Sequence, residues 1–349
     1  MFYQKAIQPI LFNKDAEEAH DLALNLASKT QRSPTLAKLV NIIYGLPTPE
    51  LQTEHFGLTF PNPVGLAAGF DKNGTTPLAM QALGFGFVEV GSITARASVG
   101  NPKPRAFRLS MDDSLINRMG LNNDGADAVI DRLKDLNLDI PLGVNIAKTN
   151  DHSIQGDDAI QDYVYSYKKA STVADYITVN ISCPNTGEGK TFEDPVALDE
   201  LLSALFSDDN DENKKPTLVK FTVDIERELL AKLVSICEAY GISGYIATNT
   251  SSSRKGLKTP GRIISKIGTG GLSGKAIQER STEVVRWLHE ITEGQKPIVG
   301  VGGIDDADAA IKKLEAGASL IQIYTGMIYK GPGLVRNLKK GLRNYKTNS

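Results

Sequence analysis

Short apolar runs rich in β-branched residues alternate with amphipathic stretches along most of the chain, beginning at residue 64. The runs have the length and composition of buried strands, and the stretches between them carry apolar residues at helical spacing. Eight repeats of this alternation predict an α/β fold, a (β/α)8 TIM barrel, rather than an open doubly wound sheet. Strands are predicted at 64–68, 87–91, 142–146, 176–181, 218–222, 244–248, 297–301 and 320–324. Helices are predicted at 74–83, 123–135, 157–173, 196–206, 226–240, 276–290 and 306–316, and after Gly333.

Residues 1–50 stand outside this pattern and are predicted as a helical extension, with 51–349 forming the barrel domain. Apolar residues between 16 and 26, behind a cap at Asn13 or Asp15, predict one short amphipathic helix, and those between 36 and 43 predict a second. The extension carries more apolar surface than a docked helical hairpin needs. It therefore either packs on the barrel or binds a membrane. Its five basic and five acidic residues balance, so any membrane affinity is hydrophobic.

The composition excludes several classes of function. The chain has 349 residues and a formal net charge of -2, with lysine and arginine scattered, so no nucleic-acid partner is expected. Its four histidines lie far apart and its two cysteines are unclustered, which argues against a metal site and against a disulfide framework. The sequence contains no apolar run long enough to predict a membrane-spanning helix.

Polar residues and glycines follow the predicted strands at their carboxyl ends, where the active sites of barrels lie. Two connections at this end, 92–122 and 250–275, are too long for simple turns and are predicted as binding loops or lids. The sequence thus predicts one site at this end of the barrel. The strand-end positions are 69–72, Ser92, Asn145, 180–185, Lys220, Asn249, Thr250, Gly302, Gly303, Thr325 and Gly326.

Cys183 is the candidate reactive residue. It lies in the segment Asn180-Ile-Ser-Cys-Pro-Asn185, directly after a predicted strand, in polar surroundings that offer little to bury a thiol. The other cysteine, Cys237, lies in an apolar helical pattern and is predicted as an ordinary core residue. We therefore interpret Cys183 as a functional thiol.

Glycines and lysines at the same end of the barrel indicate an anionic ligand. Gly302-Gly303 and Thr325-Gly326 follow the last two strands, where a phosphorylated cofactor or ordinary tight turns would explain them. Lys220 ends an otherwise apolar strand, and its charge must meet an anion or water. Lys72 follows the first strand beside Asp71, which either pairs with it or leaves it for a ligand.

Six motifs at strand ends and in the long connections carry a resemblance to a known family. They are Ala67-Ala-Gly-Phe-Asp-Lys72, Ile116-Asn-Arg-Met-Gly-Leu-Asn-Asn123, Asn180-Ile-Ser-Cys-Pro-Asn185, Ala247-Thr-Asn-Thr250, Thr269-Gly-Gly-Leu-Ser-Gly274 and Val301-Gly-Gly-Ile-Asp305. In this order they resemble the dihydroorotate dehydrogenases, and the similarity runs from about residue 1 to 340. The N-terminal extension and the loop Lys103-Pro-Arg-Ala-Phe-Arg-Leu109 resemble the membrane-associated class 2 branch, which uses a quinone.

The resemblance implies a flavoprotein that binds FMN and oxidises dihydroorotate to orotate in pyrimidine biosynthesis. It implies a quinone as the electron acceptor, and a peripheral position on the cytoplasmic face of the cell inner membrane through the N-terminal helices. Cys183 is implied as the catalytic base, Lys72 as the partner of the substrate carboxylate, and Lys220 as a cation beside the flavin.

The remaining implied site residues fall into three groups. A quinone channel is implied along His20, Arg108 and Tyr324. The implied substrate-binding residues are Lys72, Asn117, Arg118, Met119, Gly120, Leu121, Asn180, Asn185, Asn249 and Thr250. The implied FMN-binding residues are Ala68, Gly69, Phe70, Asp71, Lys72, Ser92, Asn145, Asn180, Lys220, Thr248, Gly274, Gly303, Tyr324 and Thr325.

One residue departs from the class 2 pattern. Class 2 members usually carry serine at the base position, whereas Cys183 resembles the soluble class 1 enzymes. Two alternatives therefore stay open: a soluble flavin oxidoreductase of the same fold that uses fumarate or another acceptor, and a catalytically silent flavin-binding barrel. We expect a quinone, because the amphipathic extension has no evident use in a soluble enzyme.

Overall fold

A computed structural model of the chain describes residues 3–182, 191–207 and 214–348. Its helices are α1 (Gln8–Phe12), α2 (Ala16–Gln31), α3 (Pro34–Tyr44), α4 (Pro77–Ala82), α5 (Ala126–Leu133), α6 (Asp157–Ser171), α7 (Pro195–Leu205), α8 (Arg227–Ala239), α9 (Gly261–Ile267), α10 (Gln278–Ile291), α11 (Ala307–Glu315), α12 (Thr325–Lys330) and α13 (Leu334–Asn348). Its strands are β1 (Thr53–His55), β2 (Leu58–Phe60), β3 (Val64–Leu66), β4 (Phe87–Ile93), β5 (Ala106–Leu109), β6 (Ser114–Asn117), β7 (Leu142–Ile146), β8 (Tyr176–Asn180), β9 (Thr217–Phe221), β10 (Gly244–Ala247), β11 (Gly271–Gly274), β12 (Ile298–Val301) and β13 (Leu320–Ile323).

Eight parallel strands close into a barrel in the order β3, β4, β7, β8, β9, β10, β12 and β13. The barrel closes where β13 pairs with β3, with Ile321 opposite Val64 and Ile323 opposite Leu66. Helices follow the strands along the chain, as the βαβ pattern requires. The prediction of a (β/α)8 TIM barrel is confirmed, and the predicted strands match the observed ones to within about two residues at each end.

Apolar side chains fill the barrel at the amino-terminal ends of its strands. Phe87, Tyr176 and Leu218 lie at or near the starts of their strands and are almost fully buried. The antiparallel hairpin of β1 and β2, which the sequence did not predict, adds Phe60, whose ring centroid lies 5.3 Å from that of Phe87. Because this end is packed with side chains, a ligand has room only at the carboxyl-terminal end.

The two long connections are partly folded into a second sheet. β5, β6 and β11 pair antiparallel in the order β11, β6, β5, and α9 lies in the second connection. These connections were predicted as binding loops or lids without strands, because strands of four residues, one of them glycine-rich, leave little visible alternation. Asp112 joins the two connections: its carboxylate accepts hydrogen bonds from the amides of Lys258 and Thr259 at 2.6 and 3.0 Å.

The N-terminal segment contains the two expected amphipathic helices, α2 and α3, and both contact α4. Asp15, one of the two predicted caps, accepts a hydrogen bond from the Glu17 amide at 2.8 Å and so begins α2. Ser33 caps α3 in the same way through the Leu36 amide. Both caps satisfy amide groups that a helix start otherwise leaves without a partner.

Much of the apolar surface of α2 and α3 faces solvent. Leu26, Leu39 and Ile42 are 66%, 51% and 68% exposed, and Leu22, Leu36 and Ile43 are also exposed. Across the described ranges, every helix falls short of the length and hydrophobicity needed to span a bilayer. The two helices thus contact the barrel and still present an apolar surface.

Candidate active site

A cavity opens at the carboxyl-terminal ends of the barrel strands, next to α2 and the connection after β4. Its empty volume, including space open to solvent, is about 1050 Å³. We call it the first cavity. Predicted site residues from eight separate stretches of the chain line it: His20, Ala68, Gly69, Lys72, Ser92, Asn117, Met119, Gly120, Leu121, Asn180, Lys220, Asn249, Thr250 and Tyr324.

A second cavity adjoins the first and shares Lys220, Asn249 and Tyr324 with it. It runs along the ends of β12 and β13, where the predicted residues Thr248, Gly274, Gly303 and Thr325 line it. Gly303 adopts a φ of +74°, and an added Cβ would lie 2.4 Å from the Cα of Gln278. Only glycine fits there, which keeps the backbone close to whatever occupies this cavity.

Lys72 is available to a ligand on the wall of the first cavity. Its Nζ donates a hydrogen bond to the Gly69 carbonyl at 2.9 Å. Asp71 does not pair with it, because the Asp71 carboxylate accepts four hydrogen bonds from the amides and hydroxyls of Thr75 and Thr76. Because burial leaves its ammonium poorly solvated, the pKa of Lys72 is lowered to about 8. A poorly solvated cation favours an anionic partner.

Lys220 projects from the end of β9 into both cavities and is only 5% exposed. Burial lowers the pKa of Lys220, and the charge of Glu89 opposes that shift. Glu89, fully buried on β4, accepts hydrogen bonds from Asn145 at 2.8 Å, from Gln322 at 2.8 Å and from Tyr176 at 3.1 Å. The barrel interior thus holds a cation at the cavity floor above a fully hydrogen-bonded carboxylate.

A chain of hydrogen bonds fixes the polar residues of the cavity floor. Ser92 Oγ donates to Asn145 Oδ1 at 2.5 Å, and Asn180 Nδ2 donates to Ser92 Oγ at 3.2 Å. Asn249 Nδ2 lies 3.4 Å from Asn180 Oδ1 and 3.0 Å from the Ser182 carbonyl. Because each amide has a partner, its orientation is set before any ligand binds.

The donor set of the two cavities fits a planar ring with a phosphate tail, as in FMN. Thr248 Oγ1 and Gln322 Oε1 are buried without a hydrogen-bond partner within the described part of the chain. Both residues line the second cavity beside the Lys220 ammonium. A flavin ring edge offers donors and acceptors to such groups, and the glycine-lined end has room for a phosphate.

Some predicted residues lie behind the cavities instead of on their walls. Asn145 is fully buried and contacts the cavity floor through its hydrogen bonds with Ser92 and Glu89. Phe70 is a buried core residue, and Asp71 supports the backbone of the loop after β3. The guanidinium of Arg118 donates to the Ile267 and Thr269 carbonyls at 2.7 and 2.9 Å, so it points away from the first cavity.

His20, Phe70 and Tyr324 form an aromatic cluster where α2 meets the barrel. The ring of Phe70 is edge-on to both His20 and Tyr324, at centroid distances of 5.0 and 5.5 Å. His20 Nε2 donates to the Phe70 carbonyl at 2.9 Å. Burial, followed by the nearby Lys72 charge, lowers the pKa of His20 to about 3, so this imidazole is neutral.

Arg108 holds the N-terminal segment against the second sheet. Its guanidinium donates to the carbonyls of Leu11, Phe12 and Lys14, and lies 4.7 Å from the centroid of the Phe12 ring. It is absent from the walls of the two cavities defined above. Of the three predicted channel residues, the structure therefore brings only His20 and Tyr324 together at the first cavity.

The structure contains a buried ion pair between Glu17 and Arg105 that the sequence did not predict. Both side chains are 6% exposed, and the Arg105 Nη2 lies 2.7 Å from the Glu17 carboxylate, with Nε at 3.0 Å. Lys103 adds a second cation at 3.3 Å. Glu17 also lines the first cavity beside Lys72, so the pair ties α2 to the site. The motif around Arg105 was visible in the sequence, but its partner 88 residues away was not.

Replacing Glu17 with glutamine should destabilise the fold, because it removes one partner of this buried ion pair. We expect the free energy of unfolding to fall by about 3 kcal/mol, measured by urea denaturation. The matched control is Glu18→Gln, the exposed neighbour on the same turn of α2, which should change stability little. Equal effects of both substitutions would mean that the pair contributes nothing specific.

Cys183 and Asn185 lie outside the described residues, so their predicted roles rest on the sequence. Cys237 is fully buried on α8, as predicted, and burial raises the pKa of its thiol. Within the described ranges, no group of three or more histidine, cysteine, aspartate or glutamate side chains is placed to hold a metal ion.

Comparisons with known proteins identify similar sequences and a similar fold. The sequence profile of the family described as dihydroorotate dehydrogenase matches residues 50–345. A curated protein of Natronomonas pharaonis named dihydroorotate dehydrogenase (quinone) is 44% identical over 338 residues, which is 96% of this chain and 93% of that protein. One of the same name from Christiangramia forsetii is 42% identical over 97% of this chain and 100% of its own length. A crystal structure described as DHODH from Eimeria tenella in complex with ferulenol superposes with a TM-score of 0.84 at 36% identity, covering 96% of this chain and 92% of the other.

Proposed function

The chain belongs to the dihydroorotate dehydrogenase family, and from that premise we propose how its two cavities perform the reaction. The enzyme oxidises dihydroorotate to orotate with FMN as cofactor and a quinone as terminal electron acceptor. The observation that carries the proposal is the convergence of two desolvated lysines, Lys72 and Lys220, with the Asn180 and Asn249 amides on one cavity. These groups suit a planar anionic substrate beside a planar phosphorylated cofactor.

In the proposed arrangement the substrate occupies the first cavity above Ser92 and Asn180. Lys72 binds its carboxylate, since a poorly solvated ammonium favours an anion over water. The amides of Asn117, Asn180, Asn185 and Asn249 hydrogen-bond the ring. Met119, Gly120 and Leu121 line the same cavity, and Arg118 holds that segment through the second connection.

In the proposed chemistry Cys183 acts as the base and Lys220 as a stabilising cation, while Lys72 holds the substrate. Cys183 takes the C5 proton of dihydroorotate while C6 loses its hydride, which leaves orotate. When bound, FMN supplies the hydride acceptor and relays the electrons to the quinone. Lys220 stabilises the negative charge that accumulates in the second cavity, where its low exposure makes the cation effective. A thiol, with a reference pKa of about 8.5, needs less help to lose its proton than a serine hydroxyl would.

Occupancy of the second cavity by FMN is supported by the residues that remain without partners. Thr248 and Gln322 offer a buried hydroxyl and a buried amide oxygen, and Lys220 offers a cation. Ala68 and Gly274 provide walls without bulky side chains, and Gly303 with Thr325 lies at the phosphate end, while Gly69 lines the adjoining first cavity. The family relationship leads us to expect the same cofactor.

The quinone should reach the site between α2 and the barrel, where His20 and Tyr324 meet the first cavity. The solvent-facing leucines and isoleucines of α2 and α3 give the protein a peripheral hold on the membrane, and α2 also carries His20. The balanced charge of this segment makes the hold hydrophobic. Arg108 would act by fixing α1 beside the channel.

Membrane association is tested by replacing Leu26, Leu39 and Ile42 together with asparagine. We expect binding to neutral phosphatidylcholine vesicles to fall about 10-fold or more, because three apolar side chains leave the lipid. Val196→Asn, on α7 of the barrel and similarly exposed, is the control and should leave vesicle sedimentation unchanged. Vesicle binding that survives the triple substitution would remove α2 and α3 from this role.

The Lys72 pKa predicts the pH dependence of orotate binding. Below a pH of about 8 the ammonium is charged and pairs with the orotate carboxylate, and above it the charge and the affinity are lost together. Orotate should therefore dissociate about 10-fold more readily for each pH unit above that value, followed by flavin absorbance. Lys72→Met should bind weakly with no such slope. A wild-type affinity that is constant up to pH 10 would contradict the role of Lys72.

Steady-state assays with alternative acceptors test the proposed function. The full-length chain with dihydroorotate should reduce a soluble ubiquinone analogue and leave fumarate unreduced under anaerobic conditions. Turnover with fumarate alone would support the alternative of a soluble-type oxidoreductase, and turnover with neither acceptor would support a silent flavin-binding barrel. Deletion of residues 1–45 is the second test, since quinone turnover should be lost while dihydroorotate still reduces the flavin.

A further inference from the structure

Lys313 on α11 is a fully buried lysine with no acidic partner. Its side chain is 0% exposed, and its Nζ donates to Ser281 Oγ at 2.6 Å and to Thr282 Oγ1 at 2.9 Å, with the Gln278 carbonyl at 3.5 Å. Within the described part of the chain no carboxylate forms an ion pair with it. Burial lowers its pKa to about 7, with no compensating charge to raise it. A cation in such a place is costly unless an anion lies nearby.

The position of Lys313 is directly behind the glycine-lined end of the second cavity. Its stem crosses β12 at Gly300, where an added Cβ would lie 2.5 Å from the Lys313 Cγ. The Oγ of Ser281, which accepts from Lys313, lies 3.0 Å from the carbonyl oxygen of Gly302 and 3.0 Å from that of Gln278, and donates its proton between them. One hydroxyl therefore separates the buried ammonium from the Gly302-Gly303 turn that lines the cavity.

The same place carries a second source of positive potential. Gln278, Ser281 and Thr282 form the first turns of α10, a helix of 14 residues, and the amides of a helix start carry a partial positive charge. Lys313 therefore adds its charge to the end of a helix that already repels cations. Both charges are compensated if a dianion lies on the far side of Gly302 and Gly303.

We propose that Lys313 is a positioning residue for the cofactor phosphate: its buried charge, relayed through Ser281 and the Gly302-Gly303 turn, selects a phosphorylated flavin over an unphosphorylated one. The proposal rests on the proposed function, because it takes FMN as the occupant of the second cavity. Lys313 does not touch the cavity itself, so it acts through the turn and through its field. A neutral residue of the same length would fill the space and lose that selectivity.

Flavin binding by the full-length chain stripped of its cofactor tests this directly. FMN and riboflavin are titrated separately, and binding is followed by quenching of flavin fluorescence. The dissociation constant of riboflavin divided by that of FMN measures what the phosphate contributes to binding. In Lys313→Met we expect this ratio to fall about 10-fold, with FMN affinity reduced and riboflavin affinity nearly unchanged. A ratio equal to that of the wild type would overturn the proposal.

Two further variants separate charge from packing and from hydrogen bonding. Lys339→Met removes another buried lysine, which is 4% exposed and donates to the Gly84 carbonyl far from the cavities, and should leave the ratio unchanged. Lys313→Gln keeps a donor for Ser281 but no charge, and should behave like Lys313→Met. A Lys313→Gln chain with the wild-type ratio would reduce Lys313 to a hydrogen-bond donor and overturn the proposal. Wild-type protein that binds neither flavin would instead overturn the proposed function, and this inference with it.

Discussion

Replacing Cys183 with alanine should slow flavin reduction by dihydroorotate about 1000-fold while FMN stays bound, because general bases contribute two to four orders of magnitude. The rate is measured by anaerobic stopped-flow absorbance with the substrate in excess. Binding of FMN should survive, since the two cavities, Lys220 and the Gly303 turn are formed by other parts of the chain. The loss should therefore appear in the rate of reduction and not in cofactor content.

Two controls make the result specific to the base. Cys237→Ala changes the only other cysteine of the sequence, which is buried on α8, and should leave the rate nearly unchanged. Cys183→Ser should recover part of the rate and shift its pH dependence upward, because a hydroxyl loses its proton less readily than a thiol. Undiminished reduction in Cys183→Ala would remove Cys183 from the role of base.

Replacing Lys220 with methionine should give the second large effect, a loss of about 100-fold in the rate of flavin reduction. The ammonium is buried at the floor shared by both cavities, and removing one preorganised charge from such a site typically costs two to three orders of magnitude. The flavin reduction potential should also fall, because the cation no longer stabilises the extra electrons. Stopped-flow rates and equilibrium potentials measure the two effects.

Lys220→Met also leaves Glu89 without its nearby cation, although Asn145, Gln322 and Tyr176 still donate to that carboxylate. The fold should therefore persist, and a thermal unfolding curve checks it. Lys232→Met, an exposed lysine on α8, is the matched control. A variant with an unchanged potential and an unchanged rate would mean that the Lys220 charge has no part in the reaction.

The barrel could be predicted because its pattern is local. Buried strands such as β7 and β8 appear as short apolar runs, and the helices between them repeat at helical spacing. The second sheet could not be predicted, because β5, β6 and β11 come from two distant connections and β11 is half glycine. Their pairing is set by tertiary contacts, among them the bonds from the Lys258 and Thr259 amides to Asp112.

Site residues could be predicted where they follow directly after a strand. They could not be predicted where two side chains from distant parts of the chain pair with each other. Lys220 could be predicted as a charge in an apolar strand, and Glu89 in β4 has the same signature, although it was not predicted as a site residue. The sequence could not decide whether Lys72 pairs with Asp71 or is left for a ligand. In the structure the Asp71 carboxylate accepts hydrogen bonds from the amides and hydroxyls of Thr75 and Thr76 instead. The Glu17–Arg105 pair joins residues whose contact no local pattern encodes.

An anaerobic titration of the purified chain with dihydroorotate shows whether Lys72, Lys220 and Cys183 act together on one substrate beside one flavin. We expect a yellow protein whose flavin absorbance is bleached by stoichiometric dihydroorotate and restored by a quinone. Protein that is colourless and cannot be reconstituted with FMN, or flavin that stays oxidised in excess dihydroorotate, would contradict it.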